Sequence, residues 1–212
     1  MGSWALAWER LRGHCMISKT PLLTLALVYA AISFGSPSAQ ADTSVVVSVR
    51  DQQLTIVKDG TRLATFPVST SKFGLGDRPR SYGTPLGTMQ IAEKIGNGAP
   101  IGSVFKHRQR TGEILRPNAP GRDPIVTRIL WLRGLESKNS QAYARNIYIH
   151  GTAEERKIGR PASYGCIRMR SKDVVRVFDS VPVGTRVEVI NAPLRNALRE
   201  IVGETRTDGR AG

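Results

Sequence analysis

The sequence is most informative at IHGT, residues 149–152, and at SYGCIRM, residues 163–169. These two short segments place a histidine, His150, ahead of a cysteine, Cys166. A thiol is a poor nucleophile until it becomes a thiolate, and a neighbouring imidazole is a common base for that step. The combination therefore predicts nucleophilic chemistry, with Cys166 as the nucleophile and His150 as its base.

His150 closes a predicted strand that begins at Asn146. Side chains alternate across a strand, so Ile147 and Ile149 share one face while Tyr148 and His150 share the other. The isoleucine face is typical of a hydrophobic core. We interpret the opposite face as the wall of a site, and this makes Tyr148 a candidate substrate-binding residue beside the base.

Cys166 follows Gly165, where the lack of a Cβ atom allows a tight backbone turn. Such a turn would let amide N–H groups approach the oxyanion that develops when a carbonyl is attacked. The other cysteine, Cys15, lies in a predicted leader and would be removed with it. A lone cysteine is either a small buried hydrophobic residue or a reactive thiol, and composition leaves both readings open.

The order HGT, a gap, and then S-x-G-C-I-R-M resembles the signature of the YkuD-type L,D-transpeptidase catalytic domain. The segment TPLG, residues 84–87, is similar to the T-P-x-G that leads into a strand of that family. The resemblance covers roughly Ser44 to Asn191, within a predicted catalytic domain at residues 42–192. It implies a mainly β fold, an L,D-transpeptidase-like β-sandwich with one or two short helices.

The resemblance also implies roles for individual residues. Cys166 corresponds to the thiol that accepts the acyl group, and His150 corresponds to the general base. Ser163 and Gly165 correspond to residues that shape the oxyanion pocket. Arg168 corresponds to an arginine that holds either the motif or a substrate carboxylate.

One position departs from the commonest form of this motif. Many family members have a histidine two residues before the cysteine, where this chain has Tyr164. His150 is therefore the single histidine of the motif, and the motif has no second imidazole to tune the thiol. Tyr164 could offer a hydroxyl group or could serve packing alone.

The reaction that the resemblance implies needs no cofactor and no metal. The thiol would take the acyl group from a tetrapeptide stem of peptidoglycan, release D-alanine, and transfer the group to an amine. The amine could belong to a second stem or to a wall-anchored protein. Two alternatives stay open: a thiol hydrolase that uses water as the acceptor, and a wall-binding domain without catalysis.

Other chemistries fit the sequence less well. Serine-based wall enzymes use S-x-x-K, S-x-N and K-T-G motifs, and the fragments at residues 69–72, 137–139 and 110–112 stand in the wrong order. The histidines and Cys166 lack zinc-ligand spacing.

The net charge of +14 favours an anionic partner. Without a zinc finger or an RNP-like segment, we do not expect that partner to be nucleic acid.

Strand patterns dominate the rest of the chain. A meander is predicted from residues 45–49, 53–58 and 62–68, with a hairpin turn at Asp59-Gly60. Further strands are predicted at residues 88–92, 125–132 and 186–190. A short helix is predicted at Lys172 to Ser180 with Ser171 as its N-cap, and about two helical turns are predicted after Pro193, before a disordered polar tail from Thr205.

A segment rich in glycine, proline and arginine, residues 96–123, has no clear period and is predicted to be a lid loop. Its four arginines form either a solvated face or a grip for carboxylates of the peptide stem. They are Arg108, Arg110, Arg116 and Arg122.

The first 41 residues have the layout of a secretory signal peptide. A basic segment precedes the uncharged run Pro21 to Phe34, and small residues end at Ala41. The run is short for the roughly 30 Å hydrocarbon core of a membrane, so cleavage after Ala41 is preferred to a membrane anchor. Translation could start at Met1 or at Met16. The mature protein is expected in the periplasm or cell wall, without stable membrane insertion.

Overall fold

The computed structural model describes residues 42–207, so the predicted signal peptide and the last five residues of the tail lie outside the described part. The fold is mainly β, as predicted. Within residues 42–207, the ten strands and two α-helices are β1 (Thr43–Ser48), β2 (Gln53–Lys58), β3 (Thr61–Pro67), β4 (Gly87–Ile95), β5 (Ser103–Lys106), β6 (Gln109–Ile114), β7 (Ile125–Gly134), β8 (Tyr148–Thr152), β9 (Ile167–Met169), α1 (Ser171–Ser180), β10 (Arg186–Ile190) and α2 (Leu194–Thr207).

All ten strands belong to one mixed sheet. The order along its main path is β3-β2-β1-β10-β4-β7-β5-β6, and β8 pairs with β7 and with β9. Most neighbours are antiparallel, whereas β1 with β10 and β8 with β9 are parallel. The predicted meander of β1, β2 and β3 is confirmed, with Asp59 and Gly60 at positive φ between β2 and β3.

The main hydrophobic core lies between the sheet and α1. Val174, Val177 and Phe178 of α1 pack with residues of the central strands, among them Leu130 and Ile149. A second apolar cluster gathers Phe105, Ile129, Trp131 and Tyr148 and borders Cys166. The face of β8 that carries Tyr148 and His150 is therefore buried as fully as the isoleucine face.

The prediction of a structureless loop at residues 96–123 is wrong in its middle. Residues 103–114 form a β-hairpin of β5 and β6, in which Lys106 pairs with Gln109. The two turn residues, His107 and Arg108, have φ of 48° and 67°. Hairpin turns of this kind usually carry glycine or asparagine. The sequence has neither at residues 107 and 108, so it did not predict the turn.

The helices also correct two details. Arg170, not Ser171, is the N-cap of α1, and it makes no side-chain capping bond. The hydroxyl of Ser171 instead accepts a hydrogen bond from Thr127 Oγ1 at 2.8 Å. The second helix continues to Thr207, beyond the two predicted turns and past the predicted start of the disordered tail.

Neither helix of residues 42–207 has the length and apolar character needed to cross a bilayer.

The C-terminal helix covers the face of β1 that points away from the main core. Leu194 and Ala197 of α2 are buried against Val46, which is 1% exposed. This contact makes α2 a packed element of the fold over at least its first turn.

We predict that Leu194→Ala lowers the free energy of unfolding by about 2–3 kcal/mol, because it opens a cavity over β1. Chemical denaturation would measure the loss. Arg195→Ala is the matched control, since Arg195 lies on the exposed side of the same turn and its loss should cost less than about 0.5 kcal/mol. Equal effects of the two variants would mean that α2 does not pack on the sheet in solution.

Candidate active site

The pairing of β8 with β9 brings the two motif segments together. Ile149 lies opposite Ile167, and His150 lies opposite Arg168. Cys166 directly precedes β9, and the backbone N–H of Tyr148 donates to its Sγ at 3.4 Å. Cys166 also packs against the cluster that contains the Tyr148 ring. Cys166 packs beside Tyr148, and residues 148 and 150 share a face of β8. The thiol and the imidazole therefore lie on the same face of the sheet.

The His150 imidazole is buried and oriented by the backbone. Its Nδ1 lies 2.8 Å from the carbonyl oxygen of Gly151. A carbonyl can only accept, so Nδ1 carries the hydrogen and the lone pair is on Nε2. Burial lowers the pKa of His150 to about 4, although the Gly151 contact and Asp123 act in the opposite direction. His150 is therefore neutral at pH 7 and can accept a proton at Nε2.

A bulge in β7 adapts the sheet to the histidine segment. The register shifts between Val126, opposite Gly151, and Ile129, opposite His150. Within the bulge Thr127 has φ of 73°, which is rare for a β-branched residue. A Cβ atom on Gly151 would lie 2.5 Å from the carbonyl oxygen of Val126. The glycine of the HGT motif is thus required by close backbone approach, whereas the role of Thr127 was not predicted.

The Cys166 thiol is held between two backbone groups. It accepts from the Tyr148 N–H and donates to the carbonyl oxygen of Asn146 at 3.4 Å. Its side chain is partly exposed, yet dense surrounding protein raises the pKa of the thiol to about 11. The Tyr148 N–H, Arg145 and Arg168 lower that pKa by less than burial raises it. The thiol is consequently neutral at pH 7.

Ser163 and Gly165 shape the turn that presents Cys166. The Ser163 hydroxyl donates to the Cys166 carbonyl oxygen at 2.6 Å and accepts the Gly165 N–H at 3.2 Å. Gly165 has φ of 119°, and a Cβ atom there would lie 3.2 Å from the carbonyl oxygen of Gly83. The Thr84 hydroxyl donates to the Gly165 carbonyl oxygen. Because the Gly165 N–H donates to the Ser163 hydroxyl, this amide already has an acceptor in this structure.

Arg168 is buried beneath the site. Its Nη1 forms ion pairs with Asp123, which precedes β7, and with Glu154, which follows β8, the latter at 3.3 Å. The guanidinium thus links β9 to segments on both sides of it. These contacts fit the first of its two predicted roles, which is to hold the motif.

Tyr148 connects the site to the β5–β6 hairpin. Its hydroxyl donates to Asn146 Oδ1 at 2.9 Å and accepts from Arg108 at 3.4 Å. The Arg108 guanidinium also lies over the Trp131 ring, 4.4 Å from its centroid. Of the four arginines predicted for the lid, Arg108 contacts Tyr148, and the backbone N–H of Tyr148 contacts the Cys166 thiol. Arg122 pairs with Glu113.

One important contact was missed from the sequence. The buried side chain of Arg145 pairs with Asp77 at 2.6 Å and donates to the carbonyl oxygens of Gly76, Ser81 and Gly83. It ties the loop at residues 73–87 to the segment that leads into β8. No local pattern signals such a contact, because its partners are distant in sequence.

Within residues 42–207, no group of three or more His, Cys, Asp or Glu side chains is arranged to hold a metal ion.

Comparison with known proteins gives the family. A family model of the YkuD L,D-transpeptidase catalytic domain matches residues 42–189. YqjB of Bacillus subtilis (strain 168), named as a candidate L,D-transpeptidase, is 30% identical over 154 residues, which are 72% of this chain and 74% of that protein. The chain belongs to the YkuD L,D-transpeptidase catalytic domain family.

Other relatives are longer than this chain. ErfK/SrfK of Escherichia coli (strain K12), also named as a candidate L,D-transpeptidase, is 30% identical over 71% of this chain, which spans only 45% of that protein. A solved structure of the L,D-transpeptidase LdtMt1 in complex with imipenem is 23% identical, at a TM-score of 0.45 over 71% of this chain and 59% of that one.

The thiol pKa leads to a measurable expectation. A raised pKa keeps the neutral thiol to higher pH, so we predict that alkylation of Cys166 by iodoacetamide is slow at pH 7 and reaches half of its maximal rate near pH 11. The protein without residues 1–41 has Cys166 as its single cysteine, and its Cys166→Ala variant is the blank. A midpoint below pH 8 would instead indicate a preformed thiolate–imidazolium pair.

Proposed function

We propose that this protein is a peptidoglycan L,D-transpeptidase with Cys166 as nucleophile and His150 as general base. The proposal depends most on one observation. The hydrogen bond from His150 Nδ1 to Gly151 leaves Nε2 free as a base on the strand next to Cys166. Membership of the L,D-transpeptidase family supports the choice of substrate.

In the first half-reaction, Sγ attacks the carbonyl of the diaminoacyl residue of a tetrapeptide stem, and the thiol proton moves to His150 Nε2. Collapse of the tetrahedral intermediate forms a thioester and breaks the bond to the terminal D-alanine. The leaving amine takes the proton from the imidazolium. Because both groups are neutral at rest, proton transfer accompanies attack and is not completed beforehand.

In the second half-reaction, an amine attacks the thioester, His150 accepts its proton, and the thiol is restored. The amine belongs to a second stem or to a wall-anchored protein. If water takes its place, the same residues perform hydrolysis, which is the alternative function. The net charge of +14 suits an anionic wall polymer, and the leader at residues 1–41 would export the protein to that polymer.

We predict that Cys166→Ala abolishes release of D-alanine from a tetrapeptide stem, because the acyl group has no acceptor. We expect His150→Gln to lower kcat by roughly 10²–10⁴-fold through loss of the base. Mass spectrometry of the products, with and without an added amine, would separate transfer from hydrolysis. Lys172→Gln, on the exposed side of α1, is the control. Full activity of folded Cys166→Ala protein would refute the mechanism.

The β5–β6 hairpin is proposed to help select the anionic stem. Arg108 contacts Tyr148 and Trp131 at the edge of the site, and the residue as a whole is partly exposed. Its planar fork suits a carboxylate of the stem. Clustered cations near a cleft also raise the rate of encounter with an anion, and salt weakens that gain.

We predict that changing Arg108, Arg110 and Arg116 together to Gln lowers kcat/KM on a tetrapeptide stem about tenfold at low salt, and less at high salt. The control changes the same number of exposed arginines elsewhere to Gln. They are Arg62, Arg195 and Arg199. An equal fall in both variants would leave the arginines of residues 96–123 no role beyond general charge.

A further inference from the structure

Three aromatic residues, Phe73, Tyr82 and Tyr164, form an exposed patch, called here the aromatic patch. The ring centroids are 5.2–5.6 Å apart in all three pairs. Each residue is more than half exposed, at 53%, 56% and 60% respectively. Large aromatic residues gathered at the surface cost hydration free energy without contributing to a core, and such patches commonly mark binding sites.

The fold holds the aromatic patch in place next to the nucleophile. Tyr164 stands two residues before Cys166 in the motif turn. Phe73 and Tyr82 lie in the loop that Arg145 holds through the carbonyl oxygens of Gly76, Ser81 and Gly83. The Thr84 hydroxyl joins this loop to the motif turn at the Gly165 carbonyl oxygen, 3.0 Å away. A ligand on the patch would therefore be fixed relative to Sγ.

The patch combines aromatic faces with polar groups. The Lys72 ammonium lies 5.1 Å from the Phe73 centroid and 4.6 Å from the Tyr164 centroid. Lys72 also donates to the Tyr164 hydroxyl at 3.2 Å. Ring faces carry negative electrostatic potential, so they attract groups with partial positive charge. Hydroxyl and ammonium groups at the edges can bond to a ligand rich in oxygen.

We propose that the aromatic patch binds the glycan strand to which the peptide stem is attached. The C–H groups on the face of a sugar ring carry partial positive charge and can stack on aromatic faces, while the ring hydroxyls and acetamido groups can bond to Tyr and Lys side chains. A purely apolar partner would remove water from the Tyr and Lys polar groups and offer them no hydrogen bond in exchange. The inference rests on the proposed function, since a stem acyl group at Cys166 places its own glycan nearby.

The first test measures binding of peptide-free glycan strands to the whole protein by titration calorimetry. Phe73→Ala combined with Tyr82→Ala should raise the dissociation constant about tenfold, which corresponds to two stacking contacts. Leu63→Ala combined with Val183→Ala is the control, because both residues are more than half exposed and lie outside the patch. Tyr82→Leu, which keeps apolar volume but removes the ring, should weaken binding even if the double variant folds poorly.

The second test compares kcat/KM on a free tetrapeptide with that on a disaccharide-tetrapeptide. The wild-type protein should prefer the disaccharide substrate, and the double patch variant should lose that preference while keeping its rate on the free peptide. An equal fall on both substrates, or glycan binding that is unchanged in the variant, would overturn the inference. So would a wild-type protein that self-associates through the patch and ignores glycan. Glycan binding without acyl transfer would refute the proposed function alone.

Discussion

The parallel pairing of β8 with β9 brings the strand that carries His150 alongside the segment that carries Cys166, across the intervening residues 151–165. A ladder of only three residue pairs is too short to fix its own register firmly. Arg168 adds the missing constraint, because its buried guanidinium reaches Asp123 on one side and Glu154 on the other. A buried ion pair contributes little net stability, since both charges lose hydration. Its effect here is positional: a shift of one residue would separate Arg168 from its carboxylates and turn Cys166 toward the opposite face of the sheet.

The same burial decides the protonation state of Cys166, the candidate nucleophile. Arg145 and Arg168 both lower the pKa of the Cys166 thiol, but each is already engaged by an acidic partner, and desolvation outweighs them. His150 experiences the same desolvation and stays neutral. A thiolate–imidazolium pair would bury two charges in the resting protein, whereas a neutral pair separates charge only when a substrate carbonyl is present to accept it. The Gly151 carbonyl oxygen fixes the tautomer and raises the pKa of His150, so it favours the imidazolium relative to the neutral ring.

Local patterns were enough to predict most of the sheet. Alternating valines and the Asp59-Gly60 turn predicted β1, β2 and β3, and the helix α1 was predicted within one residue. The β5–β6 hairpin was missed because its turn is formed by His107 and Arg108, and β9 was missed as a strand because it has three residues. The candidate pair was found because a motif is contiguous in sequence. Arg145 with Asp77, and Thr127 with Gly151, could not be found this way, since each contact exists only once distant segments have packed.

Two residues with positive φ lie next to the candidate pair. Thr127 adopts φ of 73° in the bulge opposite His150 and Gly151, and Asn146 adopts φ of 57° where its carbonyl oxygen receives the Cys166 thiol. At the β-branched Thr127 such a conformation costs about 1–3 kcal/mol and persists only where its surroundings enforce it, whereas asparagine adopts positive φ more readily. Thr127 is held by hydrogen bonds from its hydroxyl to Ser171 and from the Gly102 N–H, and Asn146 by bonds from Tyr148 and Arg108 to its side chain. Backbone strain at Thr127 is therefore tolerated next to β8, and two side-chain hydrogen bonds hold Asn146, whose carbonyl oxygen contacts Sγ. Both features favour a site whose geometry is fixed before substrate arrives.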